Sequence, residues 1–373
     1  PAWPLRGGRR GRRKARGGAA GLQIRTERTQ ERMKGLFFTA PMQMELRELP
    51  DPGPQAGEVV VDIKATSLCG SDLHNLHSEH PNDRVIMGHE GAGVVSAIGP
   101  GVTTVAVGDR VALYHVIGCG KCRNCMAGYV QFCTENRRAL AGQEHGTFAD
   151  KILVHEMNCL PLPQDISFAV GAFIGCFAGT SYSAMRKLNP DGQSTVAVFG
   201  LGPVGLAGVA YAHALGARVI GVDGIDKRLE LGKKMGCEEI VNFRRENVVE
   251  RLKALTGGAG PELLYESSGS MVAQKQAIEA AAIHGKLCLV GFNGPMSLKA
   301  DQAPNLYAVI GKELTVLGSS IMPRQYHYDI IDLLRKKNVD LEAMITDRFP
   351  FERIQEALRL FDTGDTGKVV IDL

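Results

Sequence analysis

A short apolar run at residues 196–199 ends in Gly200-Leu201-Gly202-Pro203-Val204-Gly205, and a helix-length apolar stretch follows it. No other feature constrains the fold as much. A glycine at position 200 permits a tight turn out of a strand. Gly202 lets the backbone come close to a ligand, and Gly205 lets the next helix pack hard against the strand. From about residue 195 onward, strand-like runs at 196–199, 218–222, 239–241, 262–266, 286–290 and 314–317 alternate with helix-length segments. Six strands with helical crossovers predict an α/β architecture, a Rossmann doubly wound parallel sheet.

The glycine turn also predicts a ligand. The first turn of a helix leaves unpaired N–H groups, and here, past Pro203, which has none, they begin at Val204, facing the place where a pyrophosphate would lie. Asp223 closes the next strand-like run at the spacing expected of the residue that accepts hydrogen bonds from both ribose hydroxyls of NAD. The same carboxylate would repel the 2′-phosphate of NADP, which favours NAD. Lys227 and Arg228 follow closely and keep NADP open.

The preceding part of the chain has a different texture. Between residues 33 and about 163, β-branched runs at 58–65, 91–98 and 109–113 alternate with Gly, Pro and Asp turns, the pattern of a β sandwich or barrel. Inside it, Cys119, Cys122, Cys125 and Cys133 stand in a stretch rich in Gly, Lys and Arg. Two successive C-x-x-C steps plus a fourth cysteine suit a closed tetrahedral zinc site, and in a loop with so little apolar content the metal would supply the local folding energy. Cys159, Cys237 and Cys288 sit in apolar contexts and read as buried thiols. His213, His284 and His327 have no ligand-spaced partners and read as structural. His77 and His80 read as solvated loop residues.

The formal net charge of +3 conceals a division: residues 1–32 hold ten Lys/Arg and two acids, so the remainder is net −5. That body excludes a basic nucleic-acid binder. The first 32 residues read as a disordered basic extension ahead of Met33, with an Arg-rich transit segment as the alternative. Two uncharged stretches, 166–185 and 194–217, are interrupted by glycines and read as buried elements rather than membrane spans.

Further motifs are Cys69-Gly70-Ser71-Asp72-Leu73-His74, Gly88-His89-Glu90, residues 107–111 (Val-Gly-Asp-Arg-Val) and a segment holding Cys176. Spacing alone does not join them. Their order, with the four-cysteine stretch and the glycine turn, resembles the zinc-dependent medium-chain dehydrogenases/reductases, which include alcohol, sorbitol and threonine dehydrogenases. The resemblance covers residues 33–373. It implies a GroES-like β-barrel catalytic domain at 33–178, with a structural zinc lobe at 119–133, an NAD-binding domain at 179–320 and a return to the catalytic domain at 321–373.

The resemblance further implies that Cys69, His89 and Cys176 bind a catalytic zinc, with Glu90 beside it, and that Asp72 orients His89. It gives Ser71 and His74 a proton relay, Thr180 a place near the nicotinamide, Arg228 a place near the adenosine ribose, and Val290 and Lys368 further cofactor contacts. The implied reaction is hydride transfer between an alcohol and NAD, the alcohol being ionised at zinc. The alcohol is left open among primary, secondary, polyol and threonine-type, and a zinc-free reductase is the alternative class. The expected partners are a small alcohol or carbonyl compound and further copies of the chain, as a dimer or tetramer joined through 286–319. Neither nucleic acid nor membrane is expected. The location expected is the cytoplasm.

Overall fold

The computed structural model describes residues 32–291 and 305–373. The expected extension therefore lies outside the described residues, except that Arg32 opens the first strand instead of closing the tail. Residues 292–304 of the expected subunit interface lie outside them as well.

Strands β1 (Arg32–Ala40) and β2 (Gln43–Pro50) form an antiparallel hairpin. A seven-stranded sheet follows. Its members are β3 (Glu58–Ser67), β4 (Glu90–Ile98), β5 (Arg110–Leu113), β8 (Lys151–His155) and β9 (Cys159–Pro161), joined by β16 (Ile345–Pro350) and β17 (Lys368–Asp372) from the end of the chain. β17 pairs with β3 at 65–67, while β8 pairs with β3 at 58–62. The C-terminal strands thus complete the sheet that the N-terminal segment begins. A two-residue pair, β6 (Val116–Ile117) and β7 (Arg138–Ala139), closes the neck of the four-cysteine loop. Alternation accounts for β3: Val59, Val61 and Ile63 enter one apolar cluster, and Ala65 enters another.

The second sheet is all parallel. It contains β10 (Thr195–Phe199), β11 (Arg218–Asp223), β12 (Glu239–Asn242), β13 (Leu263–Glu266), β14 (Lys286–Leu289) and β15 (Thr315–Gly318), in the spatial order β12-β11-β10-β13-β14-β15. Each expected strand is present within two residues of its expected bounds. The order reverses between β10 and β13, where a crevice opens at the carboxyl ends of both strands.

In chain order the helices are α1 (Gly70–Leu76), α2 (Arg123–Met126), α3 (Phe168–Phe173), α4 (Gly179–Leu188), α5 (Pro203–Ala214), α6 (Asp226–Met235), α7 (Val248–Leu255), α8 (Met271–Ala280), α9 (Leu306–Gly311), α10 (Tyr326–Lys337) and α11 (Ile354–Asp362). In α11, Ile354, Ala357, Leu358 and Phe361 recur at helical spacing and all four are buried. One expectation fails. The glycines of 166–185 do not interrupt that stretch, because α3 and α4 are joined through a π turn, Ile174–Ala178, into one helical run, Phe168–Leu188. The run is long and apolar enough to cross a membrane, but 83% of its apolar 18-residue window is buried inside the protein. Its glycines serve packing: a Cβ on Gly175 would stand 1.9 Å from the Leu113 carbonyl oxygen.

His327, on α10, is buried with its Nε2 2.6 Å from the Pro161 carbonyl oxygen. Burial lowers its pKa to about 4. A histidine depressed in the folded state stabilises the fold above its unfolded pKa of about 6.5 and loses that contribution as pH falls toward 4. Between pH 7.5 and pH 5 this one group is expected to cost the fold about 2 kcal/mol. A His327→Gln variant, compared with wild type by thermal unfolding at both pH values, is expected to show a flatter pH dependence. An equal fall in both proteins counts against this role.

Candidate active site

The glycine turn links β10 to α5. Gly200 has φ +85°, in the left-handed region that disfavours any side chain. A Cβ on Gly205 would lie 1.8 Å from the Gly200 carbonyl oxygen, whereas Gly202 faces open space with Pro203 and Val204 beginning the helix beside it. Asp223 ends β11 and is almost wholly buried. One carboxylate oxygen accepts from Leu201 N at 2.7 Å, and the other from Gly224 N and Ile225 N at 2.7 and 3.0 Å. The carboxylate thereby braces the turn and also lines a cavity of about 620 Å3 together with Gly202, Arg228, Ser267 and Ser268. The Arg228 guanidinium is steadied by the Gly364 carbonyl at 2.8 Å.

A second cavity, again about 620 Å3, shares Gly202 and Ser267 with the first and continues to Cys69, Ser71 and His74. Thr180, Val204 and Val290 line it too. The Thr180 hydroxyl donates to the Cys176 carbonyl at 2.8 Å. At the far end, ligand atoms of Cys69, His89, Glu90 and Cys176 all lie within 4.8 Å of one another. Three remote segments bring them there: the N-cap of α1, the turn before β4, and the π turn. Such an inserted residue within a helix is common at functional sites, and here it carries Cys176.

The electrostatics of this cluster are those of a cation site. A hydrogen bond from Cys176 holds the Cys69 thiol well below the usual range, and the same bond holds Cys176 well above it. Burial opposes charge on His89, yet Asp72 and the Cys69 thiolate together raise its pKa well above the ordinary value. Asp72 is fully buried. Its Oδ2 accepts from Cys69 N at 2.8 Å, and its Oδ1 lies 3.3 Å from His89 Nδ1, which turns His89 Nε2 toward the sulfurs. Burial pushes Glu90 up to about 7 against the opposing pull of Lys368. Glu90 Oε2 accepts from Ser67 and Lys368, while Oε1 is buried with no partner. Two sulfurs and an imidazole nitrogen are a donor set that fits zinc and leaves a fourth coordination position for a small molecule, with the unpartnered Glu90 Oε1 beside it. Ser71 Oγ is 3.4 Å from Cys69 Sγ and 3.5 Å from His89 Nε2, at the edge of that position.

The four cysteines of the lobe also converge, with sulfurs within 4.8 Å of one another. Backbone N–H groups turn inward onto them: Cys122 N onto Cys119 Sγ at 3.2 Å, Cys119 N onto Cys133 Sγ at 3.3 Å, and Asn136 N onto Cys133 Sγ at 3.4 Å. The Cys125 amide lowers Cys122 to about 6, while burial raises Cys125 to about 12. A Cβ on Gly118 would stand 2.8 Å from Cys125 Sγ, so the chain can pass this close only as glycine. The set fits a closed, structural zinc site.

Other residues fall elsewhere than the sequence suggests. Lys368 is fully buried, donates to the Leu68 carbonyl at 2.6 Å and to Glu90 at 2.5 Å, and lies over the Phe177 ring. Its charge is engaged by Glu90 behind the metal-ligand cluster, and the residue also lines the cleft that Thr180 and Val290 line. His77 is more than a solvated loop residue: its Nε2 is 2.7 Å from Asp362 Oδ1, and both residues line the cleft. His115 stands in a segment, 114–117, that the sequence suggests as pocket lining without assigning any side chain a role. It is buried, its Nδ1 is 2.9 Å from the Gly175 carbonyl oxygen, and its ring packs edge-on to His89 at 5.2 Å between centroids. Burial lowers its pKa to about 3, so it is neutral. Only the folding that places β5 against the π turn makes it a site residue, and no local spacing signals this.

With this geometry in view, the comparisons agree. Residues 55–164 match the alcohol dehydrogenase GroES-like domain and residues 203–336 the zinc-binding dehydrogenase domain. The chain is 34% identical to the L-threonine 3-dehydrogenase of Pyrococcus abyssi over 355 residues, covering 92% of this chain and 99% of that protein. An Escherichia coli CFT073 alcohol dehydrogenase complexed with NADH superposes with a TM-score of 0.83 at 29% identity, covering 92% of this chain and 99% of the other. A zinc-binding dehydrogenase of Sinorhizobium meliloti 1021 bound to NADP superposes with a TM-score of 0.81 at 26% identity, covering 92% and 100%. The chain belongs to the zinc-dependent medium-chain dehydrogenase/reductase superfamily, as an oxidoreductase of the alcohol dehydrogenase type that uses a nicotinamide cofactor.

Proposed function

We propose that the protein oxidises a small polar alcohol, a polyol or an amino alcohol, with NAD. The observation that carries this reading is a pair of adjoining cavities that share Gly202 and Ser267: the glycine turn and Asp223 line one, and Cys69, which clusters with His89 and Cys176, lines the other with Ser71. Zinc, when bound by those three residues, supplies a Lewis acid that lowers the pKa of a hydroxyl. The chain's residues do the rest. The α5 N-terminus would take the pyrophosphate, and Asp223 would take the ribose hydroxyls. Thr180 and Val290 would wall the nicotinamide, which supplies a hydride acceptor when bound. Ser71, beside the ligand cluster, would accept the alcohol proton and pass it toward His74 and solvent. Asp72 holds the His89 tautomer.

Asp223 supports NAD over NADP. An Asp223→Ser variant is expected to gain about tenfold in its NADP/NAD ratio of kcat/KM, as a desolvated carboxylate facing a phosphate is removed. A wild type that already prefers NADP contradicts the assignment. His74, His77 and Asp362 around the cleft support a polar substrate, as does the likeness to a threonine dehydrogenase. A panel of polyols, amino alcohols and simple alcohols, followed by NADH absorbance, tests this. A preference for simple apolar alcohols overturns it.

The exposed outer edge of β15 and the exposed Leu306, Tyr307 and Ile310 of α9 support a homodimer or tetramer formed across that edge. Nine cysteines, none in a disulfide, support a reducing compartment such as the cytoplasm.

A further inference from the structure

We propose that Glu266, which touches neither metal ligand nor open cavity, is a positioning residue that sets the wall of the crevice on both sides of the cofactor. The inference rests on the reading that NAD occupies this crevice. Glu266 ends β13 at the point where the strand order reverses, and it is fully buried. A carboxylate is an expensive residue to bury there, and its partners show what it holds.

Its side chain organises the loop that follows. Oε1 accepts from Ser268 N at 2.8 Å, from Gly269 N at 3.0 Å and from the Ser268 hydroxyl, and Oε2 accepts from Gly269 N at 3.3 Å. Ser267 and Ser268 line the cavity shared with Asp223, and Ser267 also lines the cavity shared with Cys69. The Glu266 backbone carbonyl organises the other side. It accepts from Val290 N at 2.9 Å and Gly291 N at 3.0 Å, and both of those residues line the cleft next to Thr180. One residue thus ties the end of β13, its loop and the end of β14 into a single knot.

The packing leaves this knot no slack. A Cβ on Gly200 would meet Ser268 Cβ at 2.8 Å, and a Cβ on Gly291 would meet Gly269 N at 2.0 Å. The loop therefore lies directly on the glycine turn, and a shift of the loop displaces the surfaces that face the pyrophosphate and the nicotinamide. Without the carboxylate, the inward-pointing N–H groups of Ser268 and Gly269 lose their acceptor, and the loop must turn them toward the crevice or toward water.

The test measures NADH affinity by fluorescence titration and resolves KM for NAD from kcat, on the zinc-loaded protein. Glu266→Ala is expected to raise Kd for NADH and KM for NAD about tenfold, corresponding to one lost buried acceptor, while kcat at saturating NAD changes less than about threefold. Glu266→Gln keeps one oxygen for the amides and is expected to restore near-wild-type KM. Should the alanine variant fail to fold, Glu266→Asp, which is one methylene shorter, is expected to raise KM for NAD while the glutamine variant does not. An alanine variant that loses thermal stability with NADH affinity unchanged overturns the proposal, as does a glutamine variant as impaired as the alanine. If wild-type protein binds no NADH, the underlying reading fails before the variants are compared.

Discussion

Replacing Cys69 with serine, or His89 with alanine, is expected to lower turnover by at least about a thousandfold, because the Lewis acid that ionises the hydroxyl loses an anchor. NADH binding is expected to survive, since its contacts lie in the parallel sheet and the glycine turn. Initial rates with saturating alcohol, paired with NADH fluorescence titration, separate the two quantities. Asp72→Asn probes the same site more gently. The amide can still approach His89 but carries no charge, and a loss of about tenfold to a hundredfold is expected, as for other residues that orient a metal ligand. If either ligand variant retains full turnover, the assignment of this cluster is wrong.

The second large effect is expected in the lobe. Few apolar side chains are buried there, and Met126 and Phe132 point mainly into solvent. The four cysteines and their inward amide bonds are what give the loop its shape. Cys125→Ser is expected to release one zinc per chain and to lower the thermal midpoint by about 10 °C, from a loss on the order of 3–5 kcal/mol. Limited trypsin digestion provides a local readout, because Lys121 and Arg123 lie inside the loop. Cleavage there is expected to accelerate strongly in the variant. An unchanged midpoint with unchanged cleavage would show that the lobe holds itself without metal.

The parallel half of the fold was legible because its signals are local. A strand must be apolar, a turn that bends it this sharply must be glycine, and the crossover helix must follow. The lobe was legible for a similar reason, its four ligands being crowded into fifteen residues. Cys69, His89 and Cys176 were not legible from spacing. They lie on three separate segments, and only the family resemblance joined them before the fold did. The π turn escaped because glycines at 171, 175 and 179 read as breaks, whereas buried helices use glycine for close approach. Strand β16 was missed because its residues are half-exposed and mixed in polarity, so alternation is faint. The pairing of Lys368 with Glu90 was not legible either, since the two residues stand 278 positions apart. His115 belongs to the same class, being a site residue by virtue of its neighbours alone.

Metal content measured together with activity tests the central claim most directly. Protein purified without chelator is expected to carry two zinc ions per chain, one for each cluster, and to form NADH from an alcohol in a reaction that chelation abolishes and zinc restores. A chain that holds no zinc and oxidises alcohol undiminished would contradict the account.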